Sequence, residues 1–191
     1  MILMQRLVTS STAAIRTTLE KRQALLNEPQ PQASLFDSTE MDEWAELDGQ
    51  SQVDIAVQTS GWVQEKAEVD LLLTLARETE AQGTDAKAEA LLELIYKLQQ
   101  EENDPTMKVL IFTEFVPTQA MLAGFLESRG FSVTTLNGSM DLEARTRAQQ
   151  AFSKDVRVLI STDAGGEGLN LQVCHVIVNF DMLWNPMLIE Q

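Results

Sequence analysis

At 191 residues, 44% of them hydrophobic, the chain is long enough for one globular domain, or for one domain with an appendage. No apolar run approaches the roughly 18 residues needed to span a bilayer, and the short apolar start Met1-Ile2-Leu3-Met4 has no signal-peptide cleavage site behind it. A single cysteine, Cys174, and a single histidine, His175, exclude an intramolecular disulfide and a cysteine- or histidine-rich metal site, so a reducing, cytoplasmic setting away from any membrane is expected.

The net charge of −15 is unevenly spread. Residues 1–27 hold four basic and one acidic side chain, residues 28–105 four and nineteen, and residues 106–191 six and nine. The acidity therefore belongs to the middle of the chain and says little about what the last third touches.

Residues 1–27 read as a helix, with Leu3, Leu7, Ala14, Ile15, Leu19 and Leu26 near helical spacing and Pro29 and Pro31 stopping it. From 28 to 61, Gln, Ser, Asp and Glu prevail, the composition of a mobile acidic linker. A docking motif built on Phe36 and Trp44 is the alternative there. A second helix is expected over 62–82, with Val63, Ala67, Leu71 and Leu75 as its apolar face. Gly83 ends it, and Asp85 caps a third helix through Gln100 that turns Leu91, Leu92, Ile95 and Leu98 inward.

After Pro105 strands and helices alternate. Val109-Leu110-Ile111-Phe112 is a continuous apolar run, as in a strand covered on both faces. A helix follows over 117–129, ended by Gly130; then come a strand over 131–136 and a turn at Asn137-Gly138. Asp141 caps a helix to about Phe152, and strands are expected over 156–161 and 175–180. Strands joined by helical crossovers make a parallel α/β sheet.

Ligands of such sheets gather beyond the carboxyl ends of the strands. Those ends here carry Thr113-Glu114-Phe115, Asn137-Gly138-Ser139, and the stretch Ser161-Thr162-Asp163-Ala164-Gly165-Gly166-Glu167-Gly168-Leu169-Asn170. Three glycines within four positions give backbone freedom and let amides face an anion, though a tight strand-to-helix turn needs glycine just as much. The stretch is not a dinucleotide fingerprint, because Leu171 stands where a third glycine is required. No Gly-Lys-Ser/Thr occurs anywhere, so the primary triphosphate cradle is absent from this sequence.

The run from Val158 to Gln172 closely resembles motif V of Swi/Snf-like ATPases in helicase superfamily two. Lys108 to Phe115 resembles their motif IV, and Leu136-Asn137-Gly138-Ser139 the glycine motif after it. Val176 to Asp181 with Trp184-Asn185-Pro186 resembles the lead-in to motif VI, which opens with Glu-Gln; the chain stops at Glu190-Gln191. The resemblance covers about residues 85–191 in order and spacing.

It implies a RecA-like second motor lobe, a three-layer parallel α/β sheet with an N-terminal helical extension, cut at the start of motif VI. The organisation it suggests is a helical segment at 1–27, a linker at 28–61 and the lobe at 62–191. Thr113, Gly138 and Thr162 then fall where the family contacts the DNA backbone. Glu167, Gly168 and Asn170 fall where motif V faces the nucleotide and the partner lobe. Gly165, Gly166 and Trp184 fall in the coupling segments.

The implied partners are the first RecA-like lobe of the same parent and duplex DNA, and the implied cofactors are ATP and magnesium in that parent, with none bound tightly by this chain. No residue here is assigned as catalytic or as a metal ligand. The Walker lysine, the acidic magnesium pair and the motif VI arginines all lie outside the sequence. A finger arginine alone is worth on the order of 10³–10⁵ in rate, so the isolated chain is expected to hydrolyse no ATP.

Arg145 and Arg147 are candidates for added phosphate contacts or for a solvated helix face; Cys174 and His175 read as core. A strand-separating DNA or RNA helicase lobe is the alternative within the enzyme class. A non-catalytic α/β interaction module is the alternative outside it.

Overall fold

The computed structural model describes residues 2–27, 65–162, 174 and 176–181. It divides into two compact units, Met1–Gly83 and Thr84–Gln191. The stretch expected to be an acidic linker, the whole glycine-rich turn after Thr162, His175, and the segment around Trp184 lie outside the described residues.

In the first unit, the single helix expected over 1–27 is two, α1 (Ile2–Ser10) and α2 (Thr12–Asn27). Ser11 separates them, and its hydroxyl accepts the Ala14 amide at 3.1 Å, as an N-cap does. Helix α3 (Glu65–Gln82) runs antiparallel to α2. The polar pairs fix that direction: Arg16 with Glu80, Arg77 with Glu20, Gln23 with Asp70, and Lys66 with Asn27. Arg22, 4% exposed, meets Glu65 through two bonds of 2.8 Å. Between the helices lie Leu19, Val69 and Leu73, flanked by Ile15 and Leu26.

The buried face of α3 is not the one its leucines suggest. Val69, Leu73 and Ala76 are buried, while Leu71 and Leu75 are 61% and 49% exposed. Because leucines occupy positions 71, 72, 73 and 75, apolar spacing is satisfied on more than one face. Only the observed rotation also delivers Glu65, Asp70 and Glu80 to their partners on α2.

The second unit begins with α4 (Ala86–Glu101), capped by the Asp85 carboxylate on the Lys87 and Ala88 amides. It continues through β1 (Val109–Phe112), α5 (Val116–Glu127), β2 (Val133–Leu136), α6 (Leu142–Lys154), β3 (Val158–Ser161) and β4 (Val176–Asn179). Gly130, at φ +85°, turns the chain out of α5, a conformation that L side chains rarely adopt. Asp141 caps α6 through the Ala144 amide.

Among the described residues the four strands are all parallel, in the order β2-β3-β1-β4. Val109 sits opposite both Val158 and Val176, and Val133 opposite Val158. Alternation along the strands sends Val109, Ile111, Val158 and Ile160 to one face, against α4 and α5. Leu110, Leu136 and Leu159 go to the other face, against Ala148 and Phe152 of α6. The second unit is thus the expected three-layer, RecA-like α/β sheet, and a helical segment precedes it in the chain.

Candidate functional site

Because every strand runs the same way, the four carboxyl ends meet along one edge of the sheet. The strands β1, β2 and β3 are each followed by a polar residue, Thr113, Asn137 and Thr162, and β4 ends on Asn179. The edge is stitched by backbone bonds from Thr113 N to Ser161 O at 3.0 Å, Thr162 N to Leu136 O at 3.0 Å, and Phe180 N to Phe112 O at 2.8 Å.

At one side stands Asp181, just beyond β4 and 6% exposed. Its Oδ2 accepts the Thr113 hydroxyl at 2.6 Å and the Glu114 amide at 2.8 Å. Its Oδ1 accepts the Lys87 ammonium at 3.0 Å, which also lies 4.1 Å from the centre of the Phe180 ring. A buried carboxylate is tolerable only when donors replace the lost water, and these three do so. The network joins the start of α4, the turn after β1 and the end of β4.

At the other side stands Gln119, on the first turn of α5 and 2% exposed. Its amide Nε2 donates to Leu136 O at 2.7 Å and to Ile160 O at 2.8 Å, and its Oε1 accepts Asn137 Nδ2 at 3.0 Å. Asn137 Oδ1 in turn accepts the Ser139 amide at 3.2 Å and the Ser139 hydroxyl at 2.7 Å, an Asx-turn closed around Gly138.

Of the residues singled out from the sequence, Thr113, Gly138 and Thr162 come together at this edge. Gly138 is exposed in its turn. Thr162 is nearly buried, its amide committed to β2. Thr113 is buried with its hydroxyl directed to Asp181 rather than to solvent. Gly165, Gly166, Glu167, Gly168, Asn170 and Trp184 lie outside the described residues. Arg147 is exposed on α6 and pairs with Glu143 at 2.7 Å.

Cys174 packs against the core face that holds Leu110 and Phe152, and its thiol lies 3.2 Å from Lys108 O and 3.1 Å from Val176 O, either of which can accept its one hydrogen. Burial pushes that thiol above its usual range, the reverse of an activated nucleophile.

Sequence reasoning passed over Lys87, Gln119 and Asp181. Gln119 carries a legible signal: with Leu122 and Leu126 it shares core spacing on an otherwise apolar helix, so it is a polar side chain where burial is expected. Asp181 lies two residues beyond β4, and nothing local names its partners.

Among the described residues no group of three or more His, Cys, Asp or Glu side chains could hold a metal ion, and no helix is long and apolar enough to cross a membrane.

The family model for the helicase conserved C-terminal domain matches residues 86–191. The ATP-dependent helicase YqhH of Bacillus subtilis is 38% identical over 107 residues, which are 56% of this chain and 18% of that protein. The SWI/SNF-related matrix-associated actin-dependent regulator of chromatin subfamily A member 3-like 1 of Arabidopsis thaliana is 32% identical over 111 residues, 56% of this chain and 12% of that protein. The solved C-terminal part of the Fun30 ATPase domain is 20% identical, with a TM-score of 0.49, over 95% of this chain and 55% of that one. The matched stretch thus spans less than a fifth of either curated relative.

Proposed function

The chain belongs to the helicase conserved C-terminal domain family, with Swi/Snf-type relatives, and from that premise we propose that it is the second lobe of a DNA-stimulated, ATP-driven translocase or remodeller. ATP, bound with magnesium between this lobe and a first one, supplies the phosphoryl-transfer energy. This chain contributes contacts to the nucleotide through Glu167, Gly168 and Asn170, and to the backbone of duplex DNA along the strand-end edge. Gly165, Gly166 and Trp184 couple the two.

The observation that carries the reading is the Gly138 turn. It is exposed, braced from below by Asn137, and set beside Thr162 through the Thr162 N–Leu136 O bond. An exposed glycine turn lets a phosphate approach the backbone closely, and phosphate contacts position a protein without reading sequence. Thr113 acts here through the turn that its bond to Asp181 holds, and Thr162 through its place at the end of β3.

The test uses the full-length protein. Gly138→Asp sets a like charge against the DNA backbone, and the duplex concentration giving half-maximal ATP turnover should rise about tenfold, for a loss near 1.4 kcal/mol. The defect should shrink with added salt, because salt screens the repulsion between the added carboxylate and the phosphates. A variant that responds to DNA as the parent does would take Gly138 out of the interface. A parent whose turnover ignores DNA would reject the motor assignment itself.

A further inference from the structure

We propose that Gln119 is a positioning residue, which sets the Asn137-Gly138-Ser139 turn against the ends of β2 and β3 so that the turn meets the DNA backbone preformed. The proposal rests on the reading of that edge as a nucleic-acid contact and adds a residue that never touches the ligand.

Three features carry it. Gln119 is buried, yet each side-chain atom that can make a hydrogen bond makes one to the strand ends or to the turn. The two carbonyls it ties, Leu136 O and Ile160 O, belong to neighbouring strands, so one amide holds the β2 end against the β3 end. Leu136 O also accepts the Thr162 amide, so the same point fixes the start of the turn and the end of the motif V strand.

The amide can sit only one way round, because reversing it would face its oxygen with two carbonyl oxygens. Its Oε1 is therefore always turned to Asn137 Nδ2, and the Asn137 oxygen is left for Ser139. A side chain serving only to fill space on α5 needs no such bonds; Leu122 and Leu126 do that without them.

A preformed turn binds more tightly than one ordered on contact, since the ordering cost falls outside the binding step. In the full-length protein, Gln119→Met keeps length and apolar packing while removing all three bonds. Asn137→Ala removes the bond to Gln119 and the two Ser139 bonds that close the turn, and leaves both strand bonds in place. Each should raise the duplex DNA concentration for half-maximal ATP turnover about tenfold, the scale of one lost hydrogen bond. Turnover at saturating DNA should fall by a smaller factor.

The double variant should be no worse than either single one, because the two side chains act as one unit. A stability role separate from the turn would instead make the effects multiply, and that result overturns the proposal. So does an unchanged DNA requirement in Asn137→Ala, which decides the matter alone if Gln119→Met does not fold. A parent insensitive to DNA defeats this proposal together with the motor reading. A DNA-responsive parent with unaffected variants defeats this one only.

Discussion

The Asp181 carboxylate accepts the Thr113 hydroxyl at 2.6 Å across 68 residues of sequence, and the same oxygen takes the Glu114 amide. Asp181→Asn keeps the shape but loses the charge that Lys87 meets and can set an NH₂ group against one of the donors. The expected loss is about 2–3 kcal/mol, near the cost of leaving charged or buried groups poorly matched. Thr113→Val should cost about 1 kcal/mol, since the Glu114 amide still satisfies Oδ2. Chemical denaturation of both variants checks the order; equal costs would mean that Lys87 and Glu114 contribute nothing beyond the Thr113 bond.

In the first unit, Arg22 and Glu65 form a two-bonded pair that is buried on the arginine side. Arg22→Met should be milder than Glu65→Gln, because methionine removes the buried charge and leaves a carboxylate that reaches solvent, whereas glutamine keeps the guanidinium buried with a neutral amide in place of the carboxylate. The second loss is expected at about 3 kcal/mol. Hydrogen exchange of the α2 and α3 amides reads the difference, and the reverse order would contradict the argument.

Glu20 titrates below its ordinary value of 4.5, chiefly through the Arg77 hydrogen bond and then through Arg16, against the opposing effect of burial. A carboxyl held low when folded adds stability above its unfolded value and loses it as pH falls through the folded one. The difference in α2–α3 protection between the parent and Glu20→Gln should therefore be constant above pH 4.5 and close only below it. A difference that shrinks toward alkaline pH would have the wrong sign for this pair.

Cys174 should resist alkylation at neutral pH. Burial favours the neutral thiol, so its reaction with iodoacetamide should accelerate only at a pH above that of a free cysteine, whose ordinary value is 9.0. Rapid labelling of the folded protein at neutral pH would show an exposed thiolate where the fold has a packed thiol.

Gly168→Val in the full-length protein should remove most ATP turnover without unfolding the lobe. A β-branched side chain is stiff and obstructs the close backbone approach that the proposed nucleotide contact needs. Turnover and thermal unfolding measured side by side are the check; normal turnover would take this glycine out of the nucleotide contact.

Much of the second unit could be read directly, because its signals are local. The apolar run 109–112, the caps Asp85 and Asp141 and the break at Gly130 each depend on residues within a turn or two, and all stand where expected. The alternation of strands and helices was enough to foresee a parallel sheet, and the family resemblance to foresee helices on both of its faces. The alternation also foresaw which loops share an edge, since parallel strands leave their carboxyl ends no other place.

Three things needed the tertiary structure. The rotation of α3 was open while four leucines satisfied two faces, and long-range polar pairs with α2 settled it. Thr113, by type a ready donor to phosphate, is turned inward because a carboxylate 68 residues later needs it. Gln119 and Asp181 had no local pattern to announce their bonds. A buried polar group must find its partners wherever the fold brings them, and spacing along the chain does not encode that distance.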